Sequence, residues 1–252
     1  MTLYWQLPLL FATGLTAGFV DSIAGGGGLI TLPVLLSLGL QPQAALGTNK
    51  LQATFGSASA AVHYARAKTV SLKDCARGFV FTSIGAAVGA IVVQQVNPSF
   101  LRMVIPVLLI LVALYVLLKP QLGNEDLHSR MPRVWFDVIF GLSLGFYDGF
   151  FGPGTGTFWA MAYMLWLGFN MTRATGYTKV MNFASNLSSL AFFVAAGEAY
   201  WELGLTMGVG QVIGARMGSR LVIVRGTKFI RPVFLAVVVT LTLKLLHDAF
   251  GN

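Results

Sequence analysis

The chain has 252 residues, 56% of them hydrophobic and 10% charged, with a net charge of +8 and a mean hydropathy of +0.73. Soluble domains carry about 25% charged residues, so this composition excludes a water-covered globule and turns most of the surface toward lipid. In a soluble protein the positive balance would raise the question of nucleic acid; here basic cytoplasmic loops explain it, and the single cysteine, Cys75, excludes an intramolecular disulfide.

The chain opens on Met1–Gln6, which holds no basic residue and so lacks the charged region of a cleaved signal peptide. Apolar segments follow at 3–23, 29–40, 46–65, 78–96 and 100–118. Gly78–Val96 and Phe100–Leu118 approach the roughly 20 residues of a bilayer-crossing helix. These runs are continuous, whereas barrel strands alternate over about 10 residues. The stretch 119–133 then interrupts the apolar pattern, and five more segments come at 134–150, 157–168, 176–196, 203–222 and 230–247. The expected fold is an all-α polytopic helical bundle in a membrane.

The second set of segments copies the first. Gly18-Phe19-Val20-Asp21 returns as Gly145-Phe146-Tyr147-Asp148, each followed by a glycine cluster. Gly47-Thr48-Asn49-Lys50 returns as Gly176-Tyr177-Thr178-Lys179, and Gly85–Ala90 returns as Gly214–Ser219. A two-residue insertion after the glycine cluster brings every match into one register, and repeats of this kind take precedence over other readings. The chain thus divides into a first transmembrane repeat, 1–118, a cytoplasmic linker, 119–133, and a second repeat, 134–252.

Charge sets the topology. Arg66, Lys68, Lys73 and Arg77 mark one loop as cytoplasmic, as do Arg130 and Arg133 in the linker, Arg173, and the group from Arg220 to Arg231. The loop at 197–202 carries only Glu198 and Glu202 and faces out. By parity, segments 134–150 and 157–168 leave the cytoplasm and return to it as a broken or re-entrant hairpin with the glycines at its tip, and the first half is expected to hold its copy. Corresponding loops of the two copies then lie on opposite sides. Inverted repeats with interrupted helices are the pattern of secondary transporters, with the site near the midplane at the breaks.

The glycine clusters are the first candidate site: Gly25, Gly26, Gly27 and Gly28, then Gly152, Gly154, Thr155 and Gly156. A dinucleotide fingerprint must follow a strand, and these follow helices. Close packing of helices is one reading; the other is a helix break that frees backbone N–H groups. Helices starting near Leu29 and Thr157 would aim their positive ends at the tip, with Thr155 or Thr157 as a cap, and such an end binds anions.

Asp21 and Asp148 close the first helix of each half, and Lys50 and Lys179 sit one turn into the third segment. Ionisable residues at membrane depth are functional-site hypotheses by default. A structural Asp–Lys pair locking the hairpin to the third helix is the alternative. Burial and the negative end of the helix dipole favour a protonated carboxyl, which assigns Asp21 and Asp148 to proton coupling. The polar face of the third segments, Asn49, Lys50, Gln52 and Thr54 in one half and Thr178, Lys179, Asn182 and Asn186 in the other, offers amides and hydroxyls to oxyanion oxygens, or glue between helices. His63, His128 and His247 have no metal spacing, and no constellation suggests catalysis.

Gly18–Gly28 with Leu32-Pro33, Gly47–Lys50, Gly145–Gly156, and Thr178-Lys179 with Asn182 together resemble the sulfite exporter TauE/SafE family, also called the toluene sulfonate uptake permease family. The resemblance covers essentially the whole chain. It implies an inner-membrane secondary transporter of small sulfur-containing or organic anions such as sulfite or sulfonates, often an exporter, with no cofactor and no enzymatic activity. The expected partners are the lipid bilayer and a small anionic substrate, with a homodimer left open. A passive anion channel and a non-transporting assembly subunit are the competing readings. The half-sites are unequal, since Asn49 faces Thr178 and Gly26 faces Pro153.

Overall fold

A computed structural model of the chain describes residues 6–118 and 126–225, where all regular structure is helical. The helices are α1 (Gln6–Ala24), α2 (Gly27–Ser37), α3 (Pro42–Arg66), α4 (Leu72–Gln94), α5 (Pro98–Leu118), α6 (Arg133–Phe150), α7 (Thr155–Leu167), α8 (Met171–Ala195) and α9 (Trp201–Arg225). Each expected segment within the described residues becomes a helix; the segment at 230–247, with Lys119, Lys228 and Arg231, lies outside them. Helices α3 and α8 begin earlier than apolarity suggested, because polar residues start them. Pro42 stands in the first turn of α3, where its missing N–H costs nothing. The Asn170 side chain caps α8 by accepting from the Arg173 N–H at 2.9 Å. Lys50 and Lys179 therefore sit about two turns into their helices.

The bundle buries polar residues beside two clusters of buried apolar ones, and its outside is apolar. Helices α3 and α8 pack together at its centre, α1 packs on α9, and α4 packs on α6. Buried polar residues concentrate on α3 and α8, including Asn49, Lys50, Gln52, Thr178, Lys179 and Asn182. Exposed apolar residues line the peripheral helices, for example Val80, Ile84 and Val88 on α4 and Val209, Ile213 and Met217 on α9. Among the described residues, Gln6–Ala24 and Leu72–Gln94 are long and apolar enough to cross a membrane. At 25 residues each, α3 and α8 are about 37 Å long, and many of their polar groups face protein.

Glycines set the two peripheral contacts. A Cβ on Gly85 would fall 2.4 Å from the Leu142 carbonyl oxygen of α6, and one on Gly89 2.2 Å from that of Phe146. On α9, a Cβ on Gly214 would meet the Leu15 oxygen of α1 at 2.0 Å, and one on Gly218 the Phe19 oxygen at 2.4 Å. These small-residue faces are packing surfaces, as expected of them.

Hydrogen bonds show which ends of the helices meet. The Arg130 N–H donates to the Trp166 oxygen at 2.8 Å and that of Leu127 to Gly168 at 2.6 Å. An Arg133 Nη donates to the Asp74 oxygen at 3.1 Å. The start of α6, the end of α7 and the α3–α4 loop thus share one end of the bundle. At the other end, Gln43 Nε2 donates to the Val96 oxygen at 2.9 Å and the Tyr200 N–H to Thr48 Oγ1 at 3.1 Å. Leu7 and Leu10 of α1 join Leu35 and Leu38 there. The first end carries Lys73, Arg77, Arg130, Arg133 and Arg173; the second carries Glu198 and Glu202, with Arg102 one turn into α5.

Candidate functional site

The break between α1 and α2 falls on Gly25 and Gly26, whose φ angles are 71° and 132°. Between α6 and α7 it spans Phe151 to Gly154, with φ of 99° at Gly152 and 81° at Gly154. L-residues with side chains rarely hold these angles, so the clusters interrupt helices rather than only paving a packing face. Helices α2 and α7 start at Gly27 and Thr155, two residues ahead of the expected Leu29 and Thr157.

The two breaks touch. A Cβ on Gly25 would lie 2.5 Å from the backbone of Gly156, and one on Gly156 would lie 2.7 Å from the Gly25 Cα. The expected threonine caps are absent: α7 has Gly154 as its N-cap, with no side-chain bond. Thr155 Oγ1 donates instead to the Gly152 oxygen at 2.5 Å. Thr157 Oγ1 donates to the Ala24 oxygen at 2.8 Å, stitching one break to the other.

The ion pairs cross between the halves. Lys50 Nζ lies 2.7 Å from Asp148 Oδ1, and Lys179 Nζ lies 3.0 Å from Asp21 Oδ2. Each lysine thus reaches the carboxylate of the other half's broken helix, so an Asp–Lys pair does tie hairpin to third helix, and it does so across the halves. Both lysines are at most 1% exposed. Asp21 Oδ1 also accepts from the N–H groups of Gly26 and Gly27, at 3.1 and 3.2 Å. Asp148 accepts from Ser185 through Oδ2, and its backbone oxygen accepts from Lys50. Both carboxyl groups therefore have a hydrogen-bond partner at each oxygen.

A polar cavity of about 30 Å³ lies between the breaks, enough for water. Of the residues singled out by sequence, Asp21, Gly26, Gly27, Gly28, Asn49, Asp148, Gly152, Gly154, Thr155, Gly156 and Asn182 line it. Gly25, Lys50, Gln52, Thr178 and Lys179 stand behind the wall. Gly25 makes the contact between breaks, and Thr178 Oγ1 bonds back to the Ala174 oxygen at 2.8 Å. Gln52 is a hub: Nε2 donates to Asn49 Oδ1 at 2.8 Å, and Oε1 accepts from Gln211 Nε2. Thr31 Oγ1 donates to the same Asn49 oxygen at 2.5 Å, and the Asn49 NH₂ donates to no protein acceptor among the described residues.

Ala53, Asn186 and Gln211 also line the cavity and were not among the assigned site residues. Gln211 carried a usable signal: it is a lone amide in an otherwise apolar stretch of α9, and polar residues in such spans face the bundle interior. Asn186 had been placed on the polar face of its helix, and Ala53 offered no chemical signal.

The groups left to act on a ligand are mostly donors. Among the described residues, the N–H groups of Gly28, Gly154 and Gly156 donate to no protein acceptor. They are joined by the Asn49 NH₂ and the Asn182 amide. The carboxylate oxygens on the wall already have their partners. Such a wall can hold a small group bearing several oxygens; it has no spare cluster of oxygens for a cation, and the described residues contain no set of acidic, histidine or cysteine side chains able to hold a metal.

A family model described as "Sulfite exporter TauE/SafE" matches residues 10–245. The chain belongs to this family. Relatives are similar along nearly their whole length. "Probable membrane transporter protein YfcA" of Escherichia coli (strain K12) is 47% identical, with 98% of this chain and 91% of that protein aligned. "Probable membrane transporter protein ORF9" of Sinorhizobium sp is 43% identical over 96% of this chain and 93% of its own. "Probable membrane transporter protein" of Haemophilus influenzae is 41% identical over 96% and 95%. No solved structure matches the chain. As a TauE/SafE member it is a membrane transporter, and the resemblance read from its glycine and lysine motifs holds.

Proposed function

We propose that the protein carries a small sulfur oxyanion, sulfite or a sulfonate, out of the cytoplasm across the inner membrane, and holds it between the two helix breaks. The observation that supports this most is the imbalance of the cavity wall: every carboxylate oxygen there is engaged, while the N–H groups of Gly28, Gly154 and Gly156 and the amide nitrogens of Asn49 and Asn182 donate to no protein acceptor among the described residues. Oriented donors at helix starts favour anions. Lys50 and Lys179, behind the wall, add positive charge in a medium of low dielectric, where it acts over several ångströms.

The two halves are inverted repeats in this reading. The α6–α7 hairpin opens at the basic end of the bundle, the cytoplasmic end by the positive-inside rule, and α1–α2 opens at the other. Reciprocal packing of α1 on α9 and α4 on α6 supports the same relation. Labelling from outside the cell checks it, with cysteines placed at Ser71 or Ala199 in a Cys75→Ser background. Ala199→Cys should react and Ser71→Cys should not; equal labelling of the two contradicts the inversion.

Flux tests the function. Proteoliposomes holding the purified protein should take up labelled sulfite or sulfoacetate with saturation and exchange it against unlabelled anion. An inward proton gradient should change the rate if Asp21 or Asp148 takes up a proton during the cycle. Flux that neither saturates nor responds to the gradient would indicate a passive channel, and no flux with either anion would contradict the substrate class.

A further inference from the structure

The two half-sites, alike in sequence, are filled differently. At the start of α2, the Gly26 and Gly27 N–H groups are occupied by the protein's own Asp21 carboxylate. At the start of α7 no carboxylate takes that place, because Asp148 turns to Lys50 and Ser185 instead. Two substitutions between the repeats account for this. Pro153 stands where the first half has Gly26, and proline has no N–H to offer Asp148. Ser185 stands where the first half has Gly56, and its hydroxyl supplies the missing donor.

The start of α7 is therefore left with donors and no acceptor. Gly154 and Gly156 present N–H groups that donate to no protein acceptor among the described residues. Asn182 converges on the same point: a Cβ on Gly156 would lie 3.0 Å from its Nδ2 and 3.4 Å from Lys179 Nζ. The Asn182 side chain is 5% exposed and lines the cavity, and its Nδ2, on the Gly156 side, donates to no protein acceptor among the described residues. A buried amide NH₂ of this kind is a donor that the oxygens of an oxyanion can accept from.

We infer that the transported oxyanion binds at the N-terminus of α7, on Gly154, Gly156 and Asn182, and that Asp21 is the site's internal competitor, holding Lys179 until the substrate draws on the same charge. This rests on the reading of the protein as an oxyanion carrier. The α2 end is the closed half of the site and the α7 end the open half. One anion binds at a time, and its arrival loosens the Lys179–Asp21 pair, which ties α8 to the α1–α2 break.

Equilibrium binding of labelled sulfite to the purified, detergent-solubilised full chain tests the placement. Asn182→Asp puts an internal anion beside α7 and should weaken binding at least about tenfold, or 1.4 kcal/mol. Asn182→Leu, which adds no charge in case the first variant fails to fold, should also weaken it about tenfold. Asp21→Asn removes the competitor and should tighten binding by about the same factor, although it spoils an ion pair. Unchanged binding in a folded Asn182 variant, or weaker binding in a folded Asp21→Asn, would overturn the placement while leaving the carrier function intact. If the wild type binds neither sulfite nor methanesulfonate, the proposal falls together with the reading beneath it.

Discussion

Changing Lys50 to Gln should destabilise the protein by about 3–5 kcal/mol, the usual result of leaving one member of a buried ion pair alone. Asp148 is 4% exposed and takes its charged partner from Lys50, 2.7 Å away. Without it, Ser185 is the only remaining donor to the carboxylate among the described residues, and lipid surrounds the bundle. Asp148→Asn should be as damaging, since it strands a lysine that is 1% exposed. The double variant Lys50→Gln with Asp148→Asn should recover most of the loss, because replacing both partners removes the uncompensated charge. Thermal unfolding in detergent measures each. The transport assay separates the roles: a pair that serves the site gives a double variant that folds and transports poorly. Full recovery of flux would reduce Lys50 and Asp148 to a structural tie.

Gly25→Ala should cost about 3 kcal/mol or more, combining a left-handed φ with a backbone collision. The added methyl would lie 2.5 Å from the Gly156 backbone, and neither break can move without shifting the helix that follows it. Gly39→Ala is the matched control. Its φ is 83° and nothing lies within 4 Å of the added carbon, so it carries the dihedral strain alone, about 1 kcal/mol. The difference between the two isolates the contact between the breaks. Gly156→Ala should lose flux as well as stability, since its methyl would enter the space shared with Asn182 and Lys179. Equal effects of Gly25→Ala and Gly39→Ala would show that the breaks do not depend on each other.

Much of this arrangement was legible in the sequence because it is written locally. Apolar length marked the helices, and the run Gly25–Gly28 and its copy marked the breaks. Asp21, Asp148, Lys50 and Lys179 stood out as charges in apolar surroundings. The partners of those charges were not legible. Lys50 meets Asp148 across 98 residues and Lys179 meets Asp21 across 158, and nothing in the local pattern favours the crossed pairing over pairing within a half. The helix starts were misplaced for a related reason. Hydrophobicity begins at Leu29, but the helix begins at Gly27, where the Asp21 carboxylate receives the first N–H groups. Gln211 was overlooked because its helix reads as a lipid-facing span; only the packing of α9 on α1 and α3 turns that amide inward.

The most direct measurement is the position of a bound anion. Selenite has the shape and charge of sulfite, and selenium scatters anomalously. A structure of the wild-type protein with selenite should show the selenium between the two breaks, with its oxygens in hydrogen-bonding reach of Gly154, Gly156 and Asn182. An ion found instead in the basic cavity of about 450 Å³ lined by Lys73, Arg77, Arg133 and Arg173, with the space between the breaks holding only water, would contradict a transport site at the helix breaks.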